Sequence, residues 1–207
     1  MIDLHSHILP GLDDGAGDLE VSLEMARAAV GDGITAIAAT PHVREDWPTE
    51  PAAMERQVAD LRAALAAEGV PLELMTGGEI GYDRLPELDD ETLRRFGLGG
   101  NPSCLLLELP YAGRPLSLEE TLFDLRLRGF TVVLAHPERS AEVVEDTARL
   151  ERLVETGVLV QVTASAVDGR SGGRSRRNAK LLLERGLVHM LASDAHAPSG
   201  TRRSRGG

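Results

Sequence analysis

Apolar runs of strand type alternate with helical periodicities from one end of the chain to the other. Continuous apolar segments at residues 2–5, 34–40, 72–79, 105–109, 130–135, 158–162 and 188–192 predict strands. Between them, Leu19, Leu23, Ala26 and Val30 recur on one helical face that Gly31 and Gly33 terminate. Met54, Val58, Leu61 and Leu65 make a second such face, stopped by Gly69 and Pro71. Ser117-Leu118-Glu119-Glu120 is spelled like a capping box and predicts a helix running through Leu122 and Leu125. Helices are also predicted over 141–156 and 176–185. Strands alternating with helices imply parallel pairing, and uninterrupted apolar strands imply burial on both faces. A closed barrel and an open doubly wound sheet both satisfy this α/β pattern.

The polar residues change the picture by where they stand. His5 and His7 follow the first strand, in front of the turn-rich loop Pro10-Gly11-Leu12-Asp13-Asp14-Gly15. His42 follows the second strand, Glu79 the third, His136 the fifth, and Asp194 and His196 the seventh, while Glu108 lies near the end of the fourth. In a parallel α/β barrel these ends share one face, the face that carries active sites. Imidazole and carboxylate are ligands for Zn²⁺, Mn²⁺ or Fe²⁺ and leave positions open for water and phosphate. Strand alternation in His5-Ser6-His7 turns both imidazoles to one side. Glu108 stands inside Leu105-Leu106-Leu107-Glu108-Leu109, where a carboxylate needs either a cation or a salt bridge. Five of the six histidines fall at strand ends; the sixth, His189, lies within a strand and reads as structural. Cys104 reads as a core residue.

Composition narrows the class. The 207 residues suit one domain over 1–198, with a small, basic tail at 199–207 expected to be disordered. Aromatics are only 3% of the chain, so Leu, Val, Ile and Ala must build the core. A net charge of −11 argues against nucleic acid or an anionic membrane as partner, although carboxylates that bind cations are neutralised by them. No apolar run approaches a membrane span, and Met1-Ile2-Asp3-Leu4-His5 carries no secretory signal. A single cysteine allows no intrachain disulfide, and together these features point to the cytoplasm.

The stretches MIDLHSHILPGLDDGA, IAATPHV, GGEI, LLELP, LAHPER, VQVTAS and LASDAHA occur in that order across residues 1–197. In them the chain resembles the polymerase and histidinol phosphatase (PHP) superfamily, and within it the bacterial capsule and exopolysaccharide protein-tyrosine phosphatases. The resemblance implies a distorted (β/α)7 TIM-like barrel whose C-terminal closing helix is expected to be missing here. It implies three metal ions, commonly Mn²⁺. His5, His7, Glu79 and Asp194 would hold the first. Glu79 would bridge to the second, completed by Glu108 and His136. Asp14, His42 and His196 would hold the third. The four carboxylates against three divalent cations would leave a charge of about +2, suited to a phosphate dianion. A metal-activated water would be the nucleophile. His42 and Arg139 would act catalytically, Arg139 by forking onto the phosphate. The family also places an arginine soon after the Asp194-Ala195-His196 motif, for which Arg202 and Arg203 are the candidates.

The implied activity is hydrolysis of phosphotyrosine on protein, with a bacterial tyrosine autokinase governing polysaccharide export as the expected substrate. No thiol mechanism is available, because the position where a thiol phosphatase carries its arginine is Pro110 relative to Cys104. The alternatives are a small-molecule phosphatase, such as histidinol-phosphate phosphatase, and a metal-binding regulatory protein without turnover. The loop Gly11-Leu12-Asp13-Asp14-Gly15-Ala16 matches the tyrosine-phosphatase branch, whereas other branches tend to place His near Asp14.

Overall fold

The computed structural model describes residues 1–110, 115, 117–140 and 145–198. The expected tail at 199–207, Arg202 and Arg203, and the first residues of the helix predicted over 141–156 lie outside them. Among the described residues the strands are β1 (Ile2–Ser6), β2 (Ala36–Ala39), β3 (His42–Val43), β4 (Glu73–Met75), β5 (Glu79–Gly81), β6 (Cys104–Glu108), β7 (Thr131–Ala135), β8 (Leu159–Thr163) and β9 (Met190–Ala192). The helices are α1 (Leu19–Gly31), α2 (Pro51–Ala67), α3 (Asp90–Arg95), α4 (Leu118–Leu127), α5 (Thr147–Glu155), α6 (Ala164–Val167) and α7 (Gly173–Glu184). No described helix is long and apolar enough to cross a membrane.

Every ladder is parallel, as the alternation predicts. The strands nevertheless form two sheets, β1-β2-β4 and β3-β5-β6-β7-β8-β9, and not the closed barrel expected from the resemblance. The predicted third strand is broken in two, and a short unpredicted strand, β3, follows the end of the predicted second. The gap between β2 and β3 falls at Thr40-Pro41, where proline has no N–H to donate to a ladder. The break in the third falls at Thr76-Gly77-Gly78, where the chain passes Phe96 so closely that a Cβ on Gly78 would lie 2.7 Å from that ring. Single hydrogen bonds span the breaks: Thr40 N–H donates to the Ser6 carbonyl and Glu79 N–H to that of Pro41. At the other seam, β9 ends at Ala192 and the Ser193 N–H is taken by the Asp3 carboxylate at 3.0 Å. Beyond it, His7 N–H donates to the Ala195 carbonyl and Asp194 N–H to that of His5, so the first and last strands meet at their ends.

The apolar residues sort by strand alternation into two clusters. Leu105, Leu107, Val132, Leu134, Val160 and Val162 face the helices in the larger one. Ala38, Leu106 and Val133, joined by Leu4, Met75, Leu159 and Met190, fill a smaller inner cluster that Leu98 caps. Cys104 packs against this inner cluster, as expected of a core residue. Gln161 and Glu108 occupy the same inner face, further along β8 and β6. The predicted capping box is not made: α4 starts at Leu118, but the Ser117 side chain caps nothing and instead meets the Tyr82 hydroxyl at 3.1 Å.

Candidate metal centre

The parallel register gathers the strand ends on one face. His42 on β3 lies opposite Glu79 on β5, and Glu108 on β6 lies opposite Ala135, the residue before His136. His136 and Asp194 turn back into the centre with φ of 31° and 51°, and they are the described non-glycine residues with positive φ. Such backbone is costly for ordinary residues and persists where the surroundings demand it. The Asp13-Asp14-Gly15 loop closes over His7. A Cβ on Gly15 would stand 2.1 Å from the His7 carbonyl oxygen, so only glycine permits this approach.

Four donor atoms converge. His5 Nε2 lies 3.3 Å from His7 Nε2, 3.3 Å from Glu79 Oε2 and 3.4 Å from Asp194 Oδ1. His7 Nε2 lies 3.4 Å from Glu79 Oε2 and 3.3 Å from Asp194 Oδ1. Two tetrahedrally disposed ligands about 2.0–2.1 Å from one cation stand about 3.3–3.4 Å apart, so each carboxylate oxygen lies at ligand spacing from the imidazole pair. Glu79 Oε2 and Asp194 Oδ1 are buried without a hydrogen-bond partner, and so is Glu108 Oε1. Leaving such oxygens bare costs about 1–3 kcal/mol each, more when charged. The donor set therefore fits a divalent cation.

The remaining candidates assemble around this group. His136 Nε2 is 2.7 Å from Glu79 Oε1 and 3.8 Å from Glu108 Oε1. Asp14 Oδ1 is 3.5 Å from His42 Nε2 and 3.3 Å from His196 Nε2. All the sequence-predicted ligands, His5, His7, Asp14, His42, Glu79, Glu108, His136, Asp194 and His196, thus fall in groups able to hold a cation. The groups differ from the expected allotment: Glu79 joins His5 with His136, and His42 with Glu108, and stands apart from the group of His5, His7 and Asp194. His7 also borders the Asp14, His42 and His196 group, its ring 3.9 Å from that of His196. His42 turns its Nδ1 to within 3.0 Å of Glu79 Oε2, so its two nitrogens face different groups.

Residues behind the ligands set their orientation, and the sequence reading did not assign them this role. Asp13 Oδ2 accepts from His7 Nδ1 at 2.7 Å and from the His42 N–H at 3.0 Å, while Asp13 Oδ1 accepts from the Gly15 N–H at 2.9 Å. Gln161 Oε1 lies 3.0 Å from His5 Nδ1. His196 Nδ1 lies 3.0 Å from the Asp194 carbonyl. Each imidazole so held donates from Nδ1 and aims the Nε2 lone pair inward, the usual arrangement behind a metal-ligating histidine. Arg44 donates to Glu108 Oε2 at 2.9 Å. Glu138 accepts from the Thr163 N–H at 3.0 Å and anchors the turn after His136. Gln161 had a legible signal: like Glu108, it is a lone polar residue in an apolar strand.

Arg139 does not stand free to fork onto a phosphate. Its guanidinium contacts Asp194 Oδ2 and reaches Thr163 Oγ1 at 3.5 Å, at the rim of the centre. His189 is structural as expected, its Nδ1 accepting from the Val160 N–H at 3.2 Å.

The electrostatics show what the cluster does with protons alone. Burial works to lower the His5 and His7 pKa values, yet both are raised, His7 well above the ordinary 6.5. For His5 the charges of Glu79 and Asp194 overcome burial; for His7 the contacts with Asp13, Asp194 and Glu79 do. Burial likewise pushes the Glu79 carboxyl up, but His5 and His136 hold it well below its ordinary range. Asp14, bonded to His196, is lowered to about 2. Carboxylates stay ionised, and positive charge is drawn to the imidazoles; a cation satisfies the same demand.

Comparison with known proteins places this centre in context. The sequence profile described as "Capsular polysaccharide synthesis, CpsB/CapC" matches residues 1–205. The tyrosine-protein phosphatase YwqE of Bacillus subtilis (strain 168) is 40% identical over 198 residues, spanning 95% of this chain and 77% of YwqE. A crystal structure of YwqE from Bacillus subtilis and CpsB from Streptococcus pneumoniae, described as unique metal-dependent tyrosine phosphatases, superposes with a TM-score of 0.88 at 39% identity, covering 96% of this chain and 81% of the other. A candidate histidinol phosphatase, hisK from Listeria monocytogenes, shares the fold at a TM-score of 0.60 and 12% identity, over 99% and 98% of the two chains.

Proposed function

The chain belongs to the CpsB/CapC family of capsular polysaccharide synthesis, and from that premise we propose that it is a metal-dependent protein-tyrosine phosphatase. One observation carries the reading: Glu79 Oε2 and Asp194 Oδ1 each lie 3.3–3.4 Å from both His5 Nε2 and His7 Nε2, and both carboxylate oxygens are buried without a hydrogen bond. We assign His5, His7, Glu79 and Asp194 to one cation, Glu79, Glu108 and His136 to a second, and Asp14, His42 and His196 to a third, with Mn²⁺ as the metal. We read β2 with β3, and β4 with β5, as interrupted strands of one distorted (β/α)7 barrel formed by a single domain over 1–198. The inner cluster supports this, since it draws residues from strands of both sheets.

Bound divalent cations supply water of lowered pKa and positive charge for the phosphoryl oxygens. The chain does the rest. Asp13 and Gln161 hold the Nδ1 protons of His7 and His5, which keeps both Nε2 lone pairs directed inward. Glu79, wholly buried, turns one oxygen to His5 and the other to His136 and would help hold two cations. Arg139 at the rim, now paired with Asp194, is the cation we assign to the incoming phosphate. An open groove of about 650 Å³ beside Glu108 presents Tyr82, Leu109 and Pro110, a surface suited to an aryl ring and its peptide. The phenolate leaving group has a pKa of about 10, so its departure makes little demand on a general acid. The family's role in capsular polysaccharide synthesis supports a phosphorylated bacterial tyrosine kinase in the cytoplasm as the substrate.

The test compares metal-free and Mn²⁺-loaded protein on a phosphotyrosine peptide and on histidinol phosphate. Mn²⁺-dependent turnover that prefers the peptide is expected, and it should vanish in His136→Ala. Equal turnover without metal would overturn the metal reading. Preference for histidinol phosphate would overturn the substrate.

A further inference from the structure

Gln161 is wholly buried on β8, and its contact with His5 Nδ1 leaves its second bond, to the His136 backbone, without a role so far. Its neighbours Val160 and Val162 turn to the helix-facing core, and Gln161 turns inward, past Leu159 of the inner cluster. Its Oε1 is shared. It accepts from the His136 backbone N–H at 3.2 Å and lies 3.0 Å from His5 Nδ1. Its Nε2 is buried without a partner.

The order of constraint runs from the backbone outward. The His136 N–H can only donate, so it admits only the amide oxygen at that point; the flipped amide would set two donors face to face. With the oxygen fixed, His5 Nδ1 must carry the hydrogen. His5 Nε2 then carries the lone pair, and that atom faces Glu79 Oε2 at 3.3 Å and Asp194 Oδ1 at 3.4 Å. The same bond steadies His136, whose φ of 31° and ψ of 51° put a β-strand terminus into left-handed backbone. One oxygen atom thus links a ligand of the first cation position to a ligand of the second. The two histidines of the first position are also supported unequally, His7 by the carboxylate of Asp13 and His5 by a neutral amide.

We propose that Gln161 is a positioning residue that sets the Nε2 tautomer of His5 through the His136 backbone amide and so couples the first and second cation positions. This rests on the metal reading of the site, and the test separates the two. In metal-free protein at alkaline pH, ¹⁵N imidazole shifts report the His5 tautomer, and calorimetry with Mn²⁺ reports affinity. Wild type should hold His5 as the Nδ1–H form. Gln161→Leu, which removes the acceptor, should mix the tautomers and weaken Mn²⁺ binding by roughly tenfold to a hundredfold. Gln161→Glu, which restores an oxygen, should keep both the tautomer and the affinity. An unchanged tautomer and affinity in Gln161→Leu would overturn the inference. Should that variant fail to fold, Gln161→Glu decides: retention supports the acceptor role, and a folded Glu variant that loses Mn²⁺ refutes it. Wild type that binds no Mn²⁺ would sink the metal reading, while the tautomer measurement would still judge Gln161.

Discussion

Asp13→Asn is the most informative single change, because it alters charge and bonding behind His7 while keeping the side-chain shape. Asp13 is buried, and its carboxylate serves three donors: His7 Nδ1, the His42 N–H and the Gly15 N–H. Asparagine has one oxygen. Placed where Oδ2 stands, it serves His7 and His42, and its NH₂ then faces the Gly15 N–H, donor to donor. Losing that bond and leaving a buried donor unsatisfied costs about 1–3 kcal/mol of stability. The effect on metal is separate. A carboxylate behind an imidazole raises its basicity and fixes its orientation, and its removal weakens metal binding roughly tenfold to a hundredfold, about 1.4–2.7 kcal/mol. The assay is calorimetric titration of metal-free protein with Mn²⁺, paired with kcat/KM on a phosphotyrosine peptide at limiting and excess Mn²⁺. The expected result is weaker binding and low activity at limiting metal, with much of the activity restored in excess. Mn²⁺ affinity within twofold of wild type, in a folded Asp13→Asn protein, would refute the claim that Asp13 supports a metal ligand.

Three further outcomes follow from the geometry. Gly15→Ala should push the loop off His7 and withdraw Asp14 from His42 and His196; metal analysis should then find about one Mn²⁺ fewer per chain, and unchanged stoichiometry would contradict the third position. Cys104→Ser should leave activity nearly intact, because burial pushes that thiol up and it packs away from the centre; loss of activity with fold and metal preserved would revive a thiol mechanism. Thermal melts of the metal-free protein should show a stability window in pH. The raised His5 and His7 pKa values contribute stability that is present below the ordinary 6.5 and lost as pH rises through the raised values. The lowered Glu79 pKa contributes stability that is present above the ordinary 4.5 and lost as pH falls through the lowered value. Mn²⁺ should abolish the alkaline loss by taking the place of the imidazole protons, and identical alkaline behaviour with and without Mn²⁺ would refute that exchange.

The sequence by itself determined the alternation of strands and helices, their parallel order and the ligand types at the strand ends. These are local properties: apolar periodicity selects an element, and a polar residue interrupting it marks a position that something must satisfy. Glu108 was legible for that reason, and Gln161 carried the same signal. Ser117 shows the limit of a local rule, since its spelling fits a cap but the Tyr82 hydroxyl, brought in from a distant segment, engages the side chain instead. Only the tertiary structure decided how the predicted third strand divides, because the passage of Gly78 against Phe96 is a contact with a later segment, whereas Pro41 ends the second strand locally through its missing N–H. It alone decided that His7 borders two groups, that Arg139 rests on Asp194, and that Asp13 and Gln161 hold the imidazole protons. Distances of this kind arise when strand ends far apart in the chain meet on one face. The spacing of 3.3 Å between His7 Nε2 and Asp194 Oδ1 is therefore a property of the packed strands and not of any stretch of sequence.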